Sequence, residues 1–308
     1  MLAELPSNVP ELQERWVLVE DNFRVWTGSI GGSSQGSRPP ILVLHGGPGL
    51  GHDYLCGLTA LACDEQQIVF YDQLGCGRSD QPDDPGRWKI DRFVREVDLV
   101  RQALQLDEVV LLGQSWGGML AIEYMVKCAS SGRDNHGVRG LILSNALSSA
   151  PLMASELSRL RAELPASLRE TLDRHEAQGT TDSAEYRQAV AAFYSRHILR
   201  MDPLPDMILQ AIGEVGQVYK TMWGINEFSV TGNLKDWDRT AQLDQIDVPT
   251  LLISGQYDES TPQINQQMLS RLPRARWTMM QGCSHLCHIE KPDEYMSLVQ
   301  SFINEHAG

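Results

Sequence analysis

The run LLGQSWGG, from Leu111 to Gly118, ends a string of aliphatic residues in a serine with one glycine two positions before it and another two positions after. A serine hydroxyl is a weak nucleophile unless a base removes its proton, and it must stand clear of the chain to reach a carbonyl carbon. A sharp turn from a strand into a helix presents it in that way, and glycine is needed on both sides because side chains there would collide. Ser115 is therefore read as a nucleophile, with a helix N-cap as the plainer alternative. The nucleophile reading requires a base, an acid that holds the base, and donors for an oxyanion.

Each of these stands beyond an apolar run. After 41–44 comes HGGPG, in which glycines let backbone N–H groups approach an oxyanion, so Gly47 and Trp116, the residue after the nucleophile, are assigned as the donors. Neither GxxxxGK[ST] nor GxGxxG occurs at this position, which argues against a phosphate loop. His45 is expected to tie the loop down rather than to react. After 250–254 comes GQYD, and after 276–280 comes Ser284-His285. An acid here fixes the histidine tautomer, while the histidine takes the Ser115 proton and later returns it to the leaving group. Asp258 is preferred to Glu259, and His285 to His288, because each comes sooner after its strand. The order Ser, Asp, His is that of the α/β-hydrolases.

The elements that must position these residues follow from periodicity. Residues 16–20 and 23–26 have strand composition around Asp21-Asn22, a good turn pair, and predict a hairpin. The Gly- and Ser-rich segment 28–40 reads as an exposed loop. Short apolar runs at 41–44, 68–71, 109–112, 138–144, 250–254 and 276–280 suit buried parallel strands. Helical spacing at 91–106 and 116–129 alternates with them, which predicts a mostly parallel sheet covered by helices on both faces, with the site at the carboxyl ends of the strands. The strand signal vanishes from 150 to about 231, where 156–164, 184–198 and 207–219 are helical. The expected organisation is a core of 1–149 and 232–308 with a helical cap inserted at 150–231.

The 308 residues are 42% hydrophobic and 21% charged, as expected of a packed globular protein. A formal charge of −14 repels nucleic acid and anionic membranes over most of the surface and suits small neutral or cationic ligands. No run of about eighteen apolar residues without a charge suggests a membrane span. The start has acidic residues early and no basic region followed by an apolar run, so a cytoplasmic location is expected. Cys283 and Cys287 lie beside His285 and His288, but no second ligand pair stands at a zinc spacing, and no metal or other cofactor is expected.

The combination of HGGPG, FYDQLGCGRSD (70–80), GQSWGG, NEFSVTGNLKDWD (226–238), SGQYDESTP (254–262) and CSHLCHIEKP (283–292) resembles the proline iminopeptidase family of serine peptidases over nearly the whole chain. The similarity is to the branch with tricorn-interacting aminopeptidases and L-amino acid amidases. It implies a capped α/β-hydrolase fold, a triad of Ser115, Asp258 and His285, and cap carboxylates that bind the free α-amino group of a small peptide or amino acid amide. An amine with a pKa near 8 is largely cationic at neutral pH, and a carboxylate in a partly dry cap is its natural partner. Glu227 matches the family segment best, Glu214 is the second choice, and Trp223 is a candidate wall for an apolar acyl pocket. Gln114 replaces the glycine that the narrower branch often has, which widens the expected acyl preference to proline or another small or apolar residue. The alternatives are an esterase or lactonase on the same core, which would need no amine-binding acid, and a binding protein that keeps the fold. An epoxide hydrolase usually has a carboxylate at the elbow, which Ser115 is not.

Overall fold

The computed structural model describes residues 11–32, 38–132, 135–205, 208 and 216–306. Strands β1 (Gln13–Leu18) and β2 (Arg24–Gly31) form the expected hairpin, pairing Trp16 with Trp26, and Asp21 and Asn22 take φ values of 60° and 63° in its turn. Then come β3 (Ile41–Leu44), β4 (Gln67–Tyr71), β5 (Val109–Gln114), β6 (Val138–Ser144), β7 (Thr250–Gly255) and β8 (Ala275–Met280). They form one sheet in the order β1-β2-β4-β3-β5-β6-β7-β8. The β1–β2 and β2–β4 pairs are antiparallel and all the others parallel.

One expected boundary shifts. Residues 28–31 belong to β2 rather than to the loop, because Ser29 and Gly31 pair with Val69 and Gln67 of β4. Residues 33–37 of that loop lie outside the described residues.

Every residue of β3, β5 and β7 is buried, which is why these strands read as unbroken apolar runs. Alternate side chains serve two cores. Leu42, Leu44, Val109 and Leu111 pack with helices α1 (Ile90–Ala103) and α2 (Trp116–Ser130). Ile41, Val43, Val110 and Leu112 share the opposite core with Tyr295, Val299 and Phe302 of the last helix, Pro292–His306.

Between β6 and β7 the described elements are helical: α3 (Ala150–Ala162), α4 (Ala166–Gln178), α5 (Ala184–His197) and α6 (Gln217–Met222). The chain leaves and re-enters the sheet region side by side. Ser149 bridges Asp238, the Ala150 N–H donates to the Trp237 carbonyl at 2.8 Å, and the Arg239 N–H donates to that of Ser148 at 2.8 Å. Apart from residue 208, the stretch 206–215 lies outside the described residues, and Glu214 with it. After β7 come α7 (Pro262–Arg271), α8 (Cys287–Glu290) and α9 (Pro292–His306). No helix among the described residues is long and apolar enough to cross a membrane.

Candidate active site

Ser115 sits between β5 and α2 with φ 55° and ψ −120°, a conformation costing roughly 1–3 kcal/mol for a residue with a side chain. The surroundings hold it there: its N–H donates to the Ser144 carbonyl at 2.9 Å, and its carbonyl accepts from the Gly118 N–H at 2.8 Å. Its hydroxyl makes no capping bond to α2, so the N-cap alternative finds no support. The flanking glycines answer to close approach. A Cβ on Gly117 would lie 1.9 Å from the Leu44 carbonyl oxygen, and one on Gly113 would lie 2.3 Å from that of Gly117.

The HGG loop is held one peptide unit at a time. His45 Nε2 accepts from the Gln73 N–H at 3.0 Å, which leaves Nδ1 as the donor, 2.9 Å from the Gly46 carbonyl oxygen. Burial keeps this ring neutral by pulling its pKa down, against the opposing charge of Asp72. The Gly46 carbonyl and the Gly47 N–H belong to one plane and point opposite ways, so a bond at the carbonyl aims the N–H. On the other side, Gln73 accepts from the Trp116 indole at 2.8 Å and donates to the His45 carbonyl at 3.1 Å, tying Trp116 to the loop that carries Gly47.

The loops that carry Asp258 and His285 meet beyond the ends of β7 and β8. Asp258 Oδ1 accepts from His285 Nδ1 at 2.8 Å and from the Ser260 N–H at 2.9 Å, while Oδ2 accepts from the Asn145 amide at 2.6 Å. Burial lowers the His285 pKa, but Asp258, Glu259 and Glu227 outweigh it and raise the value to about 9. Helix α5 braces both loops: His197 Nδ1 bonds the Tyr257 carbonyl at 2.9 Å, and the His197 carbonyl accepts from the His285 N–H at 3.1 Å. His288 points elsewhere. Its Nε2 donates to the Tyr54 carbonyl at 3.2 Å, and burial pushes its pKa down to about 4.

Glu227 is partly buried in the loop after α6, beside Tyr194 and Tyr219. Its neighbour across the site is Glu259, 1% exposed, whose Oε1 lies 3.7 Å from His285 Nε2. Burial raises both carboxyl pKa values; Glu227 raises Glu259 further, and the His285 charge opposes the shift in each. Trp223 is buried among the cap residues, and its indole donates to the Glu227 carbonyl at 3.0 Å, fixing the turn that carries Glu227.

Sequence reasoning set Glu259 aside as a rival acid, yet it faces the same space as Glu227. It also missed a relay under the serine. The Gly46 N–H donates to Tyr54 Oη at 2.7 Å, the Tyr54 hydroxyl donates to Gln114 Oε1 at 2.6 Å, and Gln114 Nε2 reaches the His285 carbonyl at 3.4 Å. Gln114→Leu leaves the Tyr54 hydroxyl buried without its acceptor. The expected result is a loss of about 1–3 kcal/mol in urea unfolding, with kcat falling more than KM rises. Unchanged stability would show that the relay carries no weight.

A sheet of this order with a serine on the turn between β5 and α2 defines an α/β-hydrolase, and residues 39–292 match the family model for the alpha/beta hydrolase fold. A proline iminopeptidase of Heyndrickxia coagulans is 40% identical over 271 residues, 87% of this chain and 92% of that one. The crystal structure of a Mycobacterium smegmatis proline iminopeptidase superposes with a TM-score of 0.85 at 37% identity, covering 95% of this chain and 98% of that one. That of VinJ gives 0.88 at 35%, covering 96% and 99%. The chain belongs to the proline iminopeptidase family of serine hydrolases.

Proposed function

We propose that this enzyme removes an N-terminal residue, proline or another small or apolar one, from peptides or amino acid amides through an acyl-enzyme on Ser115. The observation that carries the amine requirement is the meeting of Glu227 and Glu259 beside His285. Two carboxyl groups in one partly dry space repel each other, and a cation between them relieves that repulsion. An α-ammonium held there leaves one residue between the anchor and the scissile carbonyl, which makes the cleavage exo-acting.

His285, oriented by Asp258, takes the Ser115 proton as Oγ attacks the carbonyl carbon. The Gly47 and Trp116 N–H groups stabilise the oxyanion. His285 then protonates the departing amine, and water repeats the sequence to release the amino acid. Residues 150–231 act as the cap that carries Glu227 and limits the acyl side chain, with Trp223 setting the Glu227 turn.

The test compares an aminoacyl amide with a free amine, its N-acetyl analogue and a short acyl ester. Acetylation removes the cation, and kcat/KM should fall by about two decades or more if two charge-assisted bonds are lost. Good turnover of the acetylated amide would favour a general esterase or amidase instead.

A further inference from the structure

His285 Nε2 is the nitrogen that must receive the Ser115 proton, and Glu259 Oε1 lies 3.7 Å from it. The other edge of the ring is bonded to Asp258 at 2.8 Å. A carboxyl group therefore faces each ring nitrogen, an arrangement that a doubly protonated imidazolium satisfies when Glu259 is ionised and that a neutral ring satisfies only when Glu259 itself carries the proton. Glu259 is buried, and its Oε2 has no hydrogen-bond partner among the described residues, so this carboxyl group is short of donors. The titratable groups acting on His285 are Asp258 and Glu259 from the loop after β7, Glu227 from the loop after α6, and His288 from α8. Three of the four are acids, and His288 is held neutral by burial, so no cation among them balances the acids. The net effect favours the protonated ring, in line with the rise to about 9.

We propose that Glu259 holds His285 as the imidazolium in the free enzyme, and that the ammonium of an entering substrate takes over Glu259 and so frees the ring to act as the base. The proposal rests on the amine-binding reading given above. The exchange balances: one cation enters, the Nε2 proton departs to solvent, and the charge of the cluster is unchanged. Ser115 Oγ then gives its proton to the vacated Nε2. By linkage, the coupling is reciprocal, so loss of the imidazolium proton strengthens amine binding. Selection for a free amine then appears in kcat as well as KM, because a substrate without one meets a base that is already protonated at neutral pH.

The test uses Ser115→Ala, which binds without turnover, and follows the His285 Nδ1–H resonance by NMR as pH is varied. L-Prolinamide should lower the titration midpoint by about one unit or more, the size expected of a charge a few ångströms away, whereas N-acetyl-L-prolinamide should leave it in place. Calorimetry in buffers of different ionisation heat should count a proton release on prolinamide binding that peaks at a pH between the free and the bound midpoints. Adding Glu259→Gln should lower the midpoint of the free protein and abolish the ligand shift. A midpoint unmoved by bound prolinamide would overturn the coupling while leaving amine recognition standing. Equal binding of the amide and its acetylated form would overturn the reading on which the coupling rests. The two ligand titrations need no change at Glu259, so they decide the matter even if that variant fails to fold.

Discussion

Ser115→Ala is expected to lower kcat by at least about a thousandfold with the fold intact, the scale seen when a serine nucleophile is removed from a machinery that otherwise remains. The hydroxyl caps no helix, and the backbone bonds to Ser144 and Gly118 survive the change, so thermal melting should shift little. Removing the base should cost about as much as removing the nucleophile, since the two act as one unit. His285→Ala is thus expected to match it. His288→Ala should behave differently, because this ring holds the Tyr54 backbone and is neutral across the working range. Its effect belongs in stability. Measuring kcat and melting temperature together for the three variants separates the roles, and an essential His288 would sink the assignment of the base.

The second large effect is expected at the two glutamates. Glu227→Gln and Glu259→Gln keep the shape and remove the charge, and each should cost about 1.5–3 kcal/mol, or one to two decades in kcat/KM, on substrates with a free amine. Hydrolysis of a short acyl ester should not be depressed. With Glu259→Gln it should rise at neutral pH, because one of the acids that favours the protonated ring is gone. The sign follows from the raised value: the base is neutral only above its pKa, so lowering that pKa toward the ordinary range gains active enzyme at neutral pH. A collapsed cap would instead depress amide and ester together. Parallel losses on both substrates would therefore remove the amine-binding assignment.

How much of the site was legible depends on whether each signal is local. The turn at Ser115 was, because a backbone packed within 2.3 Å of where side chains would begin admits only glycine at 113 and 117, and that requirement is written in adjacent positions. The buried strands were legible as well, since a strand covered on both faces has no polar positions to interrupt it. Strand ends were less so: β2 continues through Gly31 because β4 lies alongside, and composition carries no trace of that neighbour.

The sequence by itself determined the α/β alternation, the order of serine, acid and histidine, and the glycines that let the chain turn. It also marked Glu227 through a family segment. Tertiary structure alone decided that Glu259, one residue beyond Asp258, turns its carboxyl group to the opposite edge of the same imidazole ring. It alone brought Tyr54 to Gln114 across sixty positions and set the His288 ring against the Tyr54 carbonyl. The physical reason is range. Glycine turns and apolar periodicity are written in residues a few positions apart, whereas the charge state of a buried ring is set by whichever acids the fold packs around it, and sequence separation does not measure that distance.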